Sequence, residues 1–115
     1  MRSGAVWCET KCFCRGEVIA KAGAVGCEAY LIRKGRVAVE VTTNGKSRRV
    51  TQSEGDVVGE MALVDQSPRC ATLTALDDVV VEVITLTDFH SILNPCHPIV
   101  RAVVKGLVKR LRATN

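Results

Sequence analysis

The chain has 115 residues, of which 47% are hydrophobic and only 3% aromatic, and its formal net charge is +4. One domain is expected at this length, with a core built from Val, Leu, Ile and Ala. The positive excess lies beyond residue 100, and because the rest is nearly neutral, the composition does not require a nucleic-acid partner. No apolar run approaches the ~18 residues of a membrane span, and the N-terminus lacks the apolar core of a secretory signal, so we expect a cytoplasmic protein.

Short strands separated by frequent turns are predicted over most of the chain before residue 87. The strand segments are rich in Val, Ile or Thr, and Gly, Asn, Asp or Ser residues separate most of them. Such spacing is typical of an antiparallel sandwich or barrel. The predicted strands lie at 16–20, 28–33, 36–43, 47–52, 71–76 and 79–86, and the predicted turns at 21–27, 34–35, 44–46 and 53–56.

Two hairpins are predicted between these strands. Asn44-Gly45 is the strongest turn signal, because both central residues of a type I′ turn have positive φ. Strands 71–76 and 79–86 are expected to form a second hairpin around the two aspartates between them. Within strand 36–43, alternation predicts an inward face of Val37, Val39 and Val41 and another face of Ala38 and Glu40.

Two helices are predicted after residue 86. Thr87 is the expected N-cap of a short helix that ends at Asn94 and Pro95. Pro98 opens a second helix, which runs to about residue 113 and has an apolar and a basic side. We interpret the basic side as a solvated face opposite a packed one; docking on an acidic partner or a membrane surface is the alternative. The apolar side holds Val100, Val103, Val104, Leu107, Val108 and Leu111, and the basic side Arg101, Lys105, Lys109 and Arg112.

The six cysteines are expected to be reduced thiols in a cytoplasmic protein. The spacing of Cys8, Cys12 and Cys14 matches neither C-x-x-C nor a familiar zinc-finger pattern. We therefore expect no metal site, and interpret them as small, mostly buried residues on an N-terminal strand. A metal or iron–sulfur site with Cys27 as fourth ligand is the alternative.

Nothing in the residue pattern supports catalysis. The sequence has no Walker motif, no Ser/His/Asp or Cys/His arrangement that can be placed in space, and no close carboxylate pair of plausible geometry. His90 and His97 have no carboxylate or cysteine at ligand spacing, so we interpret both as structural or solvated. A binding protein is expected rather than an enzyme.

The stretch GEMALVDQSPRCAT, residues 59–72, is the most informative part of the chain. Its apolar run predicts one helical turn after Gly59, whose free N–H groups can hold an anion. Arg69 can grip two phosphate oxygens with its planar guanidinium, and Glu60 can accept a hydrogen bond from a sugar hydroxyl. The alternative is that Glu60 and Arg69 pair with each other or lie in water.

This stretch resembles the phosphate-binding cassette of cyclic nucleotide-binding domains, as in catabolite activator proteins, protein kinase A regulatory subunits and cyclic nucleotide-gated channels. Residues 59–63 and 68–72 match its pattern of Gly-Glu, an apolar residue and Ala-Leu, then Pro-Arg, a small residue and Ala-Thr. The likeness extends over 15–41 and covers nearly the whole chain from about residue 15. It implies an eight-stranded antiparallel β-roll, jelly-roll-like, followed by C-terminal helices. The N-terminal segment would then be 1–14 and the domain 15–115.

The resemblance also implies a role for each cassette residue. The cyclic phosphate lies on backbone amides around Met61 and Ala62 and is held by Arg69. Glu60, with the backbone near Gly59, holds the ribose 2′-OH. No cofactor, metal ligand or catalytic residue is implied. The implied cyclic nucleotide-binding residues are Gly59, Glu60, Met61, Ala62, Arg69, Cys70 and Ala71.

The implied function is that of a regulatory sensor, in which the last helix closes over the base and signals. Cys70 stands where guanine-preferring members often carry Thr or Ser, so cAMP is favoured over cGMP. The expected partners are the nucleotide, an effector protein or domain, and a second copy of the chain; no direct DNA-binding motif is found. The chain is expected to be a fragment or a stand-alone module. The alternatives are a ligand-free interaction domain, which would need neither Glu60 nor Arg69, and a cysteine-based metal or redox sensor.

Overall fold

The computed structural model describes residues 8–26, 28–63 and 68–114, apart from the side chains at 108 and 111–114. One short 3₁₀ turn, Glu60–Leu63, lies between the sixth and seventh strands. The strands are β1 (Glu9–Phe13), β2 (Val18–Ala20), β3 (Glu28–Lys34), β4 (Val37–Thr43), β5 (Lys46–Gln52), β6 (Val57–Val58), β7 (Thr72–Ala75) and β8 (Val79–Thr85), and the helices are α1 (Leu86–Leu93) and α2 (Pro98–Thr114).

The eight strands of the described residues form two four-stranded antiparallel sheets. Their orders are β1-β8-β3-β6 and β2-β7-β4-β5. This arrangement, followed by two helices, confirms the predicted β-roll. It also places β1 in the first sheet beside β8, with Cys12 opposite Val80.

The core lies between the two sheets and is aliphatic, as the composition predicts. On β8 every second residue points into it, so Val79, Val81 and Val83 are each at most 1% exposed. Ile32 of β3 and Val37 of β4 are also fully buried. Burying such a side chain contributes about 1.5–3 kcal/mol, and this alternation holds the two sheets together.

The predicted hairpin between β7 and β8 is wrong. Strand β7 pairs with β2 and β4, whereas β8 pairs with β1 and β3, so the two strands belong to different sheets. Arg36 stabilises the corner between them: its Nε donates to Asp77 Oδ2 at 2.8 Å, and its carbonyl accepts from the Leu76 N–H at 2.9 Å. A turn signal shows where the chain reverses, but the partner of each strand depends on residues far away in the sequence.

The Asn44-Gly45 hairpin is confirmed. The φ angles are 53° for Asn44 and 76° for Gly45, both positive as a type I′ turn requires. The turn sets the register of β4 and β5, with Thr43 opposite Lys46.

The predicted alternation along β4 holds only in part. Val37 is buried, but Ala38 is buried too, at 2% exposure, although it was placed on the other face. Ala38 lies between Thr74 of β7 and Thr51 of β5. Directly opposed side chains in a sheet are only about 5 Å apart, so Ala38 has a neighbour on each side within the sheet, which the alternation of one strand does not show.

Helix α1 begins two residues before the position expected. Its N-cap is Thr85, not Thr87: Thr85 Oγ1 accepts from the Asp88 N–H at 3.1 Å, and Asp88 Oδ2 accepts from the Thr85 N–H at 3.2 Å. This reciprocal capping box satisfies two free donors and stabilises the helix by about 1 kcal/mol. The C-terminal end agrees with the prediction, since α1 ends at Leu93 and Asn94 is its C-cap.

Helix α2 has the predicted bounds but not the predicted packing. Its apolar side was interpreted as a packed face, yet Val100, Val103 and Leu107 are 47–53% exposed, and of the described side chains on that side Val104 alone is half-buried. The helix touches the 3₁₀ turn, and Arg101 Nη1 donates to the Asn94 carbonyl at 2.7 Å, so α2 is held mainly near its start. Among the described residues, no helix is both long enough and apolar enough to cross a membrane.

Candidate functional site

A pocket of about 150 Å³ opens between β4, the 3₁₀ turn and the segment that leads into β7. All seven residues predicted for the site line it, together with three apolar residues that the prediction did not include. The structure therefore brings the two ends of the cassette together. The lining residues are Val39, Val41, Gly59, Glu60, Met61, Ala62, Arg69, Cys70, Ala71 and Leu73.

The 3₁₀ turn forms one wall of the pocket. Gly59 has a φ of +73°, which a residue with a Cβ rarely adopts, and this turns the chain from β6 into the 3₁₀ turn. Buried Ala62 and Leu63 anchor the turn to the body. The Ala62 N–H donates to the Gly59 carbonyl at 3.2 Å, so an anion must compete with this long hydrogen bond for that amide.

Arg69 forms the opposite wall, and its backbone is fixed on both sides. Its N–H donates to the Ala24 carbonyl at 2.8 Å, and its carbonyl accepts from the Gly23 N–H at 2.8 Å. Next to it, Pro68 makes a β-bridge with Val25. The loop that follows β2 therefore holds the second half of the cassette in place.

The guanidinium of Arg69 is also held in a defined position. Nη2 donates to the Glu28 carbonyl at 2.8 Å, and Cζ lies 5.7 Å from the centre of the Tyr30 ring, within cation–π distance. The Tyr30 hydroxyl in turn donates to Glu28 Oε1 at 2.7 Å. Lys11 of β1 approaches the same carboxylate oxygen at 4.0 Å.

Two glycines make room for this guanidinium. A Cβ at Gly26 would lie only 2.4 Å from Arg69 Nη2, and a Cβ at Gly59 2.8 Å from Nη1. Gly26 has no positive φ, so space alone explains the glycine there. We call the surface formed by Gly26, Glu28, Tyr30 and Gly59 the arginine seat.

Glu60 and Arg69 face the same pocket without neutralising each other. Both are half-buried, and the ion pairs found in the described part of the chain do not include one between them. The alternative in which the two side chains merely pair is therefore not observed. One acceptor and one cation remain available within a single cavity.

The sequence did not reveal the arginine seat or the apolar floor of the pocket. Gly26 lay in a segment interpreted only as a turn, and nothing local marks the contact between Tyr30 and Arg69. The alternation of β4 did identify Val39 and Val41 as facing inward. Both are half-buried because the inner face opens into the pocket at that end of the strand.

Of the cysteines and histidines in the described ranges, Cys70 alone lines this pocket. Cys12 and Cys14 are exposed and Cys8 is half-buried, so the interpretation of these residues as mostly buried is wrong. No group of three or more His, Cys, Asp or Glu side chains within the described ranges could hold a metal ion; Cys27 lies outside them. His97 Nδ1 accepts from the Ile99 N–H at 3.2 Å, which is a structural role.

The groups with shifted pKa values, Asp77, Arg36 and Cys14, lie at the surface and away from the pocket. A hydrogen bond from Arg36, assisted by its charge, lowers the pKa of Asp77, and the same contact raises the pKa of Arg36. The pKa of the Cys14 thiol is raised, first by its hydrogen bond with Glu17 and then by the charge of that carboxylate.

Comparison with known families gives one match that covers most of the chain. The model of the cyclic nucleotide-binding domain matches residues 10–95. That range includes both sheets, the 3₁₀ turn, the cassette arginine and α1.

Individual relatives and solved structures agree with this match. The cAMP-dependent protein kinase regulatory subunit of Debaryomyces hansenii is 34% identical over 93 residues, which are 81% of this chain and 20% of the relative. The chain thus spans about a fifth of that protein's length. The cAMP-bound form of EAL enzyme Bd1971 has a TM-score of 0.77 at 30% identity and covers 93% of this chain and 29% of that chain. Its cGMP-bound form has a TM-score of 0.78 at 30% identity, with 90% and 28% covered.

Proposed function

Because this chain belongs to the cyclic nucleotide-binding domain family, we propose that it is a regulatory module that binds a cyclic nucleotide monophosphate in the pocket lined by the cassette. The observation that carries the proposal is that Arg69 and Glu60 line one pocket without forming an ion pair with each other. Arg69 is seated and Glu60 is half-buried, yet neither neutralises the other within the described structure. A domain that served only as a scaffold would need no such arrangement.

The cyclic phosphate is proposed to lie between Arg69 and the 3₁₀ turn. A guanidinium has five N–H donors, and Arg69 uses one of them to fix Nη2 on the Glu28 carbonyl. The remaining donors suffice for a bidentate contact with two phosphate oxygens. The amides of Met61 and Ala62 approach from the other wall, and the small residues Cys70 and Ala71 leave space beside the phosphate.

The ribose and the base are proposed to occupy the rest of the pocket. Glu60 accepts a hydrogen bond from the ribose 2′-OH, and Gly59 lets the sugar approach the backbone. Val39, Val41 and Leu73 form the apolar floor on which the rings of the ligand rest. No group in this arrangement breaks a bond in the ligand, and the module is proposed to be regulatory rather than catalytic.

cAMP is proposed to bind somewhat better than cGMP. The thiol of Cys70 is a weak hydrogen-bonding group, so it stabilises guanine less than a hydroxyl at that position would. One weak hydrogen bond contributes about 1 kcal/mol, so the preference should stay below roughly tenfold. That Bd1971 has been solved with cAMP and with cGMP supports the ligand class rather than one base.

Movement of α2 is the proposed output. The helix is held near its start by the bond from Arg101 to Asn94, while Val103 and Leu107 are each 53% exposed. Closing these side chains over a bound base would bury them, and a ligand that gains this contact favours the closed state by its difference in affinity. An effector protein or domain, or a second copy of the chain, would sense the change. The cytoplasm stays the predicted location.

Calorimetric titration with cAMP and cGMP tests the proposal. We expect micromolar or tighter binding, and a loss of about 10-fold to more than 100-fold in Arg69→Ala, because a charged hydrogen bond contributes about 1.5–3 kcal/mol. Arg49→Ala is the matched control, since Arg49 is exposed on β5 and lies opposite exposed Glu40 rather than against the pocket. No binding of either nucleotide to folded, ligand-stripped protein would favour the ligand-free interaction domain instead.

A further inference from the structure

Two exposed cysteines, Cys12 and Cys14, lie two residues apart at the end of β1, at the outer surface of the first sheet and away from the pocket. Cys12 and Cys14 flank Phe13, which packs against the core, so the two cysteines point outward. The pocket lies against β4, in the other sheet, and the proposed nucleotide site does not use either cysteine.

The backbone on both sides of this pair is fixed. Cys12 is paired with Val80 of β8. The Cys14 N–H donates to Glu17 Oε1 at 2.7 Å, and the Cys14 carbonyl accepts from the Glu17 N–H at 2.9 Å. The turn from Cys14 to Glu17 is fixed by the Gly16 N–H, which donates to the Ala75 carbonyl at 2.8 Å. The backbone at both cysteines is therefore already fixed before any ion binds.

Their spacing favours a bridging ion over a disulfide. Residues two apart on an extended segment have Cα atoms roughly 6.6–6.8 Å apart. That is the upper end of the range of about 4.4–6.8 Å over which disulfides form, so an S–S bond would form only at the limit of its usual geometry. An ion between the two sulfurs spans a wider gap.

The number of ligands restricts the kind of ion. Structural zinc requires four ligands and iron–sulfur clusters several thiolates, and the described residues hold no group of three suitable side chains. Copper(I) is soft, prefers thiolates and is stable with two of them. Two carboxylates lie close to Cys14, since Glu17 Oε1 accepts from the Cys14 N–H at 2.7 Å and Asp78 Oδ1 from the Arg15 N–H at 3.4 Å, and their negative charge attracts a cation.

We propose that Cys12 and Cys14 form a two-thiolate site for copper(I). On binding, each thiol releases one proton to solvent and forms one sulfur–copper bond, and no atom changes oxidation state. Because the released protons compete with the metal, binding tightens as the pH rises.

Titration of the reduced, anaerobic protein with copper(I) against the chelator bicinchoninate tests this site. We expect one copper(I) to be retained per chain. Cys12→Ser and Cys14→Ser should each lower the affinity by more than the roughly 10- to 100-fold that loss of an outer-shell partner costs, because serine removes a metal ligand itself. Cys96→Ser is the control: its thiol donates to the Ile92 carbonyl at 3.7 Å, so copper binding should not change.

A variant that keeps only Cys12 and Cys14 as cysteines separates this pair from the other thiols. It should bind copper(I) as the full chain does, with X-ray absorption showing two sulfur neighbours, while zinc should not displace the copper. Wild-type affinity in both single serine variants would overturn the proposal. So would loss of binding in the variant with only the pair, provided that circular dichroism shows it folded.

Discussion

The arginine seat and helix α2 carry the two halves of the proposed function, and they are held very differently. Arg69 is fixed by backbone bonds to Ala24 and Gly23, by a side-chain bond to the Glu28 carbonyl and by the ring of Tyr30. The described part of α2 is tied at its beginning, and Val100, Val103 and Leu107 on its apolar side are 47–53% exposed, whereas Val104 is half-buried.

In the proposed function, this difference separates recognition of the ligand, at the arginine seat, from signalling, by α2. A seated guanidinium loses little freedom when a phosphate arrives, so the cost of ordering it has already been met during folding. A loosely packed helix is the opposite case, because few buried contacts must break before it moves. We therefore propose that the ligand shifts α2 without disturbing the two sheets.

The largest expected effect contrasts the core with α2. Ile32 is fully buried between the sheets, so Ile32→Ala should lower the free energy of unfolding by about 2–5 kcal/mol. Leu107→Ala, on the exposed side of α2, should change it by no more than about 0.5 kcal/mol in the ligand-free protein. Urea unfolding followed by circular dichroism measures both. Equal losses would mean that α2 is packed in solution, and the comparison would fail.

The next largest effect is expected for Gly26→Ala, which changes the arginine seat. In Gly26→Ala, the new methyl would overlap Arg69 Nη2 and Nε, and the flexible guanidinium should move away. Misplacing a binding group by about 1 Å can cost up to roughly 100-fold, and we expect cyclic nucleotide affinity to fall about 10- to 100-fold while the melting temperature changes little.

A double variant shows whether Gly26 acts through Arg69. If it does, adding Gly26→Ala to Arg69→Ala should cause no further loss of affinity, because the displaced group is already gone. Additive losses would instead assign the effect to the loop around Gly26 as a whole.

A smaller effect is expected at Tyr30. Tyr30→Phe keeps the ring beside Arg69 but removes the hydroxyl that donates to Glu28 Oε1, so affinity should fall only about threefold or less. Tyr30→Leu also removes the cation–π contact, which contributes about 0.5–1 kcal/mol or more when partly buried, and should weaken binding further. Calorimetry on both variants compares the contributions of the Tyr30 ring and of its hydroxyl to cyclic nucleotide affinity. A greater loss in the phenylalanine variant would show that Glu28, rather than the ring, positions the guanidinium.

The smallest effect lies at the corner between β7 and β8. The contact with Arg36 lowers the pKa of Asp77 in the folded state, so its contribution to stability is present above the unfolded-state pKa of Asp and is lost as the pH falls through the folded value. Both side chains are exposed, so the contribution is small. Between neutral and acid pH, the free energy of unfolding of Asp77→Asn should fall less steeply with falling pH than that of the wild type. An unchanged slope would show that Arg36 has no electrostatic role at this corner.

Features that depend on neighbours in the sequence were predictable. Asn44-Gly45 has the positive φ values that its turn needs, and α2 runs from the proline that the helical period marked. The cassette was recognisable because its residues are close in sequence and their types follow from the chemistry of phosphate and sugar. Even the capping of α1 was local, although the pair Thr85 and Asp88 was overlooked in favour of Thr87.

What the tertiary structure alone decided involves residues far apart in the chain. Strands β7 and β8 join different sheets because each pairs with strands more than thirty residues away. Ala38 lies opposite threonines of two other strands, and Arg69 reaches a carbonyl and a ring on β3. Backbone preferences and periodicity act over a few residues, whereas burial and side-chain contact depend on the pairing of whole strands. For that reason the sequence by itself determined most of the strands, the two helices and the cassette. Only the folded chain determined the short strand β6, the seat that holds Arg69 and the exposure of α2.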